Sequence, residues 1–198
     1  MILAMDDETF EGTEPAYDAP PRLSDADERR LHARAFNHWA TLQRGRSLPR
    51  PADLDLATLG GFAPNSVLLA ISIRDGAPTL RFVGPRLRAQ DRLAADAALA
   101  DVPPGSLVAR LVARVPEVIA ARAPVGFADE FAASPGSELL CRGVLMPLAS
   151  DGETIDLIHG VVSWKEVLSP ELARRLAAEL GDAVEVRRAG TPAVDPFA

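Results

Sequence analysis

The chain is poor in the residues that most metal and redox chemistry uses. Its 198 residues include one cysteine, Cys141, and three histidines, His32, His38 and His159. A lone cysteine closes no internal disulfide, which fits a reducing compartment such as the cytoplasm. His32 and His38 stand six residues apart, about 240° around a helix, so they cannot share a metal, and His159 is far off in sequence. No run nears the ~18 apolar residues of a membrane span, because the richest stretch covers only residues 67–73. The opening Met1-Ile2-Leu3-Ala4-Met5 runs straight into Asp6, Asp7 and Glu8, and so does not read as a secretory signal. Gly-x-Ser-x-Gly is missing, and Gly60-Gly61 lacks the lysine of a phosphate loop. Hydrolase and nucleotidase readings lose their usual signatures.

What is present is a globular composition with an uneven charge. Hydrophobic residues make up 47% and charged ones 25%, enough to bury a core and too apolar for wholesale disorder. Residues 1–28 hold nine acids against one base, Arg22, a charge of −8. The whole chain is −7, so residues 29–198 sum to +1. An acidic head on a near-neutral body is not the basic footprint of a nucleic-acid binder. Residues 29–52 carry Arg29, Arg30, Arg34, Arg44, Arg46 and Arg50 with no acid. That stretch reads as a solvated helix face, with folding-back of the acidic head as the competing reading.

Pattern divides the chain further. Residues 1–23, with Pro15, Pro20 and Pro21 and no apolar period, read as a flexible acidic arm. Ser24 reads as an N-cap, and Leu31, Ala35, Trp39 and Leu42 recur at helical spacing until Gly45. Leu48-Pro49-Arg50-Pro51 must be extended, after which Asp53 is expected to cap a short helix through Leu56 and Leu59. Residues 66–74 alternate, with Val67, Leu69, Ile71 and Ile73 on one face. A turn at Asp75-Gly76 returns the chain through residues 79–83 as a hairpin. Short helices are expected over 86–101, then a longer one over 106–123 kinked at Pro116. Strands follow at 126–131, 138–147 and 155–164, the last two joined by the turn Ser150-Asp151-Gly152-Glu153. A closing helix takes Ser169 as N-cap and Pro170 at its first position, and stops at Gly181. Its stripe of Leu172, Ala173, Leu176, Ala177 and Leu180 should dock on something. The fold class is α+β: a five-stranded antiparallel sheet with helices on one face, plus an N-terminal flanking helix and a C-terminal helix. The organisation is a 1–23 arm, a 24–166 domain, a 167–186 helical extension and a 187–198 tail.

That order resembles a PAS domain, whose five-stranded sheet is interrupted by a helical segment after its second strand. The residues 39–55, Trp-Ala-Thr-Leu-Gln-Arg-Gly-Arg-Ser-Leu-Pro-Arg-Pro-Ala-Asp-Leu-Asp, resemble the opening pattern of an alphaproteobacterial subgroup of small stand-alone PAS proteins. Arg81-Phe82-Val83-Gly84 is similar to its second strand and terminal glycine. Pro147-Leu148 with Ser150-Asp151-Gly152 is similar to its last hairpin, and residues 160–164 to its final strand. The likeness spans about residues 27–166. It departs after Gly84, where the subgroup usually carries glycines but Pro85-Arg86-Leu87-Arg88 offers none before Gly105.

The resemblance implies a sensory or adaptor protein of the cytoplasm, working in signalling through a small ligand, protein contact or both, and not an enzyme. Phe82, Cys141 and His159 are its candidate pocket residues, with core packing the competing reading for Cys141 and His159. Trp39 and Leu42 are its candidate contact residues, because the flanking helix of PAS proteins often forms the dimer interface. A homodimer and a kinase or regulator as partner follow, with no nucleic acid and no membrane. No cofactor is expected: residues 106–123 lack the histidine a haem would use, and the Asn-Cys-Arg motif of a flavin-reactive cysteine is missing. The alternative is a small α+β-cavity enzyme, a hydrolase or isomerase, using Asp53, Asp55 and His159. Helix capping is the simpler role for Asp53 and Asp55, since a polar turn gives neither burial nor a raised pKa.

Overall fold

The computed structural model describes residues 31–55, 61–134 and 136–189. The acidic arm, the Ser24 cap, Leu56, Leu59 and the tail from residue 190 lie outside them. Helix α1, Leu31–Gln43, presents Leu31, Ala35, Trp39 and Leu42 as one buried stripe. It ends through Arg44 and Gly45, both at positive φ (47° and 81°), the backbone region that closes helices most readily with glycine. A 3-10 turn, Pro51–Asp53, follows, and here the structure corrects an expectation. Asp53 closes this turn instead of opening a helix: its carboxylate accepts from the Arg50 amide and pairs with Arg44 and Arg46. Two prolines hold the preceding chain extended, so the carboxylate finds its donors behind it.

Strand β1 (Ser66–Ile71) and β2 (Pro78–Val83) form the hairpin, with Ile73 out in its loop at 75% exposure instead of in the strand. Gly76, at φ 73°, and the Asp75 carboxylate, which accepts from the Ala77 amide, set the turn and end the ladder three residues early. The chain then leaves the sheet as α2 (Pro85–Asp91), α3 (Leu107–Ala113) and α4 (Val115–Ala121). The helix expected over 106–123 is broken in two at Arg114, because Pro116 fits only the first turn of a new helix. Strands β3 (Val125–Ser134), β4 (Ser137–Leu148) and β5 (Leu157–Leu168) complete the layer. Finally α5 runs Pro170–Ala189, past Gly181. One glycine costs a helix only about 1 kcal/mol, and no proline stands between Gly181 and Ala189 to stop it.

The five strands form one antiparallel sheet in the order β2-β1-β5-β4-β3, an α+β arrangement consistent with a PAS-like fold. Cross-strand partners share a face, so the register sorts the side chains. One face carries rows such as Val67–Gly160–Leu145–Val125 and Leu69–Ile158. The helices α2 to α4 lie on it: a side chain at Gly160 would meet Leu111 of α3, and Arg110 and Arg114 reach Asp129 of β3. The other face carries Leu68–His159–Met146 and Val161–Val144–Gly126. Helix α1 lies here, pinned by the Trp39 indole N–H to the Pro147 carbonyl at 2.8 Å. Among the described residues, helices thus lie on both faces of the sheet, the flanking one opposite α2 to α4.

Candidate functional site

The face under α2 to α4 is where a sheet and a helical excursion could enclose a ligand. It is filled. Leu69, Leu87, Leu107, Leu111, Leu145 and Ile158 are at most 1% exposed and belong to one contiguous cluster. Every large side chain of that set contributes roughly 1.5–3 kcal/mol by leaving water. Polar groups at its margin are spoken for. Asp91, at the end of α2, accepts from the amides of Leu107 (3.1 Å) and Val108 (2.7 Å), and so caps α3 from outside it. Burial nonetheless raises its carboxyl above the ordinary value, outweighing those hydrogen bonds. The Trp164 indole donates to Gln90 at 3.0 Å while the Arg86 guanidinium lies 5.5 Å over its ring, tying α2 to β5. Arg110 and Arg114 stack on Phe131 and Phe127 and share the Asp129 carboxylate, which locks α3 and α4 to the edge strand.

The expected pocket residues do not converge. Cys141 points into the filled face, where burial, more than its charged neighbours, pushes the thiol pKa up. That makes it a poor nucleophile. His159 and half-buried Phe82 lie on the opposite face, on either side of Leu68. His159 is 2% exposed, with Nε2 3.0 Å from the Ser66 hydroxyl. Ser66 gives its one proton to the Phe62 carbonyl at 2.7 Å, so the hydroxyl oxygen accepts and the imidazole carries its proton on Nε2. Burial first, then the charge of neighbouring His38, lowers the His159 pKa to about 3. A neutral ring out of reach of water neither donates nor removes protons at neutral pH. Asp53 is held by two arginines and Asp55 is exposed in the loop beyond it. Trp39 and Leu42 both turn towards the chain's own core.

Among the described residues an open feature lies on the α1 side. An apolar groove of about 300 Å³ runs between α1 and the β3–β4 edge, lined by His32, Ala33, Phe36, Pro124, Gly126 and Val144. It exists because position 126 carries no side chain: a Cβ there would meet only the Gly143 carbonyl, at 3.9 Å. Phe36 is 43% exposed beside it and stacks on Trp39 at 6.2 Å. His32 Nδ1 is buried without a hydrogen-bond partner, and burial with nearby Arg142 lowers its pKa. The sequence signal for this groove was the glycine in a strand, flanked at alternate positions by the small Ala128. Beyond the groove, Leu140 and Leu168 are 39% and 53% exposed, and in α5 Leu172 and Leu176 are half-buried while Ala173 and Ala177 are exposed. The Leu180 side chain lies outside the described residues.

Among the described residues no group of histidine, cysteine and carboxylate side chains is placed to hold a metal, and no helix is long and apolar enough to cross a membrane. Compared with known proteins, the chain matches no family model and no curated protein.

Proposed function

We propose that this chain is a non-catalytic PAS-type sensory or adaptor protein of the cytoplasm that acts through protein contact. One observation carries the reading. The space between sheet and excursion is occupied by side chains at most 1% exposed, while Phe36, Leu140 and Leu168 stand in solvent at 43%, 39% and 53%. A sheet whose ligand space is filled has its recognition surface outside, and apolar side chains at the rim of a domain suit a protein partner. The partner is a second copy or a signalling kinase or regulator. No observation favours the enzyme alternative, because Asp53 closes a turn and His159 is locked to Ser66.

Sedimentation velocity on the full chain, with affinity capture from its host, tests this. The expected result is a species heavier than the 21.1 kDa monomer, or a captured protein that Phe36→Glu or Leu168→Glu releases. A strict monomer that retains nothing overturns the proposal.

A further inference from the structure

The sheet face that carries α1 has an exposed part with a charge pattern of its own. Strand register lays it out. In the row Lys165–Leu140–Glu130, Leu140 stands between a base on β5 and an acid on β3. Along β4, Arg142 lies two residues to one side of Leu140 and Glu138 two to the other, so all five share a face. Leu140 is 39% exposed, Arg142, Lys165 and Glu130 are exposed, and Glu138 is half-buried. Among the described residues no ion pair joins any of these four charges to an opposite one. Burial first, then the carboxyl of Glu130, raises the Glu138 carboxyl, so the two acids gain from bases brought to them from outside. We propose that this patch binds a second copy of the chain face to face, Leu140 on the partner's Leu140, with the strands of the two sheets crossed. This pairing rests on the protein-contact reading above and names the partner.

Symmetry and charge select the geometry. Two copies packed face to face are related by a twofold axis lying between them, so each position faces its own mirror image across that axis. An axis along the strands sets Arg142 on the partner's Arg142 and brings α1 onto α1. An axis across the strands sets Lys165 on the partner's Lys165 and Glu130 on the partner's Glu130. One diagonal sets base on base and acid on acid throughout. The other diagonal faces Arg142 with the partner's Glu130 and Lys165 with the partner's Glu138, each twice, and leaves no like pair. Its strands cross at about 90°, one of the two ways that sheets pack. It also brings the β3 edge of one copy beside α1 of the other, where Phe36 is 43% exposed. Three strands about 4.8 Å apart by three rows about 6.8 Å apart span roughly 300 Å². That is well under the ~800 Å² per partner of a standard interface, so the dimer is weak and depends on concentration.

Sedimentation velocity on the full chain over a concentration series tests it. Wild type should show a monomer–dimer equilibrium. Arg142→Glu sets like charges together twice and should raise the dimer Kd at least about tenfold. Adding Glu130→Arg to that variant should restore the wild-type Kd, which also shows that the chain still folds. Adding Glu138→Arg instead gives the same net charge and should not restore it, because each new arginine then faces the partner's Lys165. A Kd unmoved by Arg142→Glu, or restored by Glu138→Arg and not by Glu130→Arg, overturns the proposal. A wild type that stays monomeric throughout overturns it as well, and if affinity capture still retains a protein that Phe36→Glu releases, the protein-contact reading stands without it.

Discussion

At the scale of the residue, His159 is the clearest case of position deciding chemistry. In the sequence it is a histidine in an apolar strand, a satisfied core residue on the simpler reading and a pocket residue on the other. The register places it beside Leu68 and Met146 under α1, where burial first, and then nearby His38, keep it neutral while the Ser66 hydroxyl orients its ring. A histidine held at about 3 instead of 6.5 binds its proton less readily folded than unfolded. The unfolded chain therefore takes up protons first as pH falls. Stability is full above about pH 6.5 and declines from there towards pH 3, by up to about 1.4 kcal/mol per unit. Urea midpoints at pH 7, 6 and 5 should fall in wild type and fall distinctly less in His159→Gln. Carboxylates contribute alike to both proteins, and His32, also lowered, leaves some slope in each. Identical slopes would show that His159 is not held neutral. Cys141 was legible as a buried strand position, since it alternates with Leu139 and Leu145. That it and His159 point to opposite faces was not, because two strands separated by a long turn give no common register until they pair.

Elements were read better than their ends. The hairpin, the helical excursion, three later strands and the closing helix all exist, since each has a strong apolar period. The misses were local contests between backbone and neighbours: Pro116 split one helix, Gly181 failed to stop another, and Asp53 capped backwards. The α2–α3 junction depends on a carboxylate sixteen and seventeen residues from the two amides it serves, which no spacing rule reveals. Asp91→Ala should strip the Leu107 and Val108 amides of their acceptor and destabilise the chain by about 1–3 kcal/mol in urea unfolding. Asp91→Asn, which keeps an acceptor, should lose less; an Ala variant as stable as wild type would remove the cap from the account. At the end of β2 the motif glycine has a steric reason. A Cβ on Gly84 would sit 2.2 Å from the Ala63 carbonyl and 2.5 Å from that of Pro64, where a 3-10 turn crosses the chain. Its own φ of −59° is ordinary, so crowding and not conformation demands glycine. Gly84→Ala is expected to cost at least about 1–3 kcal/mol of thermal or urea stability, since backbone cannot step aside as a side chain can.

For the whole molecule, the sheet of five strands with an excursion after the second was readable from the order of periods alone. The distribution of helices was not. The α1 stripe of Leu31, Ala35, Trp39 and Leu42 announces a buried face without saying which surface buries it. Only the Trp39 to Pro147 hydrogen bond and the pairing of β4 place it opposite the excursion. Among the described residues the consequence is a layer packed from both sides, with the face under α2 to α4 filled by side chains and apolar side chains left at the rim. A filled interior is the premise of a role in protein contact. Comparing native and denaturing mass spectra of the chain purified from its host tests that premise most directly. The native mass should equal that of the polypeptide, alone or in whole-protein complexes, with nothing smaller attached. A non-covalent adduct of a few hundred daltons that disappears on denaturation would contradict it.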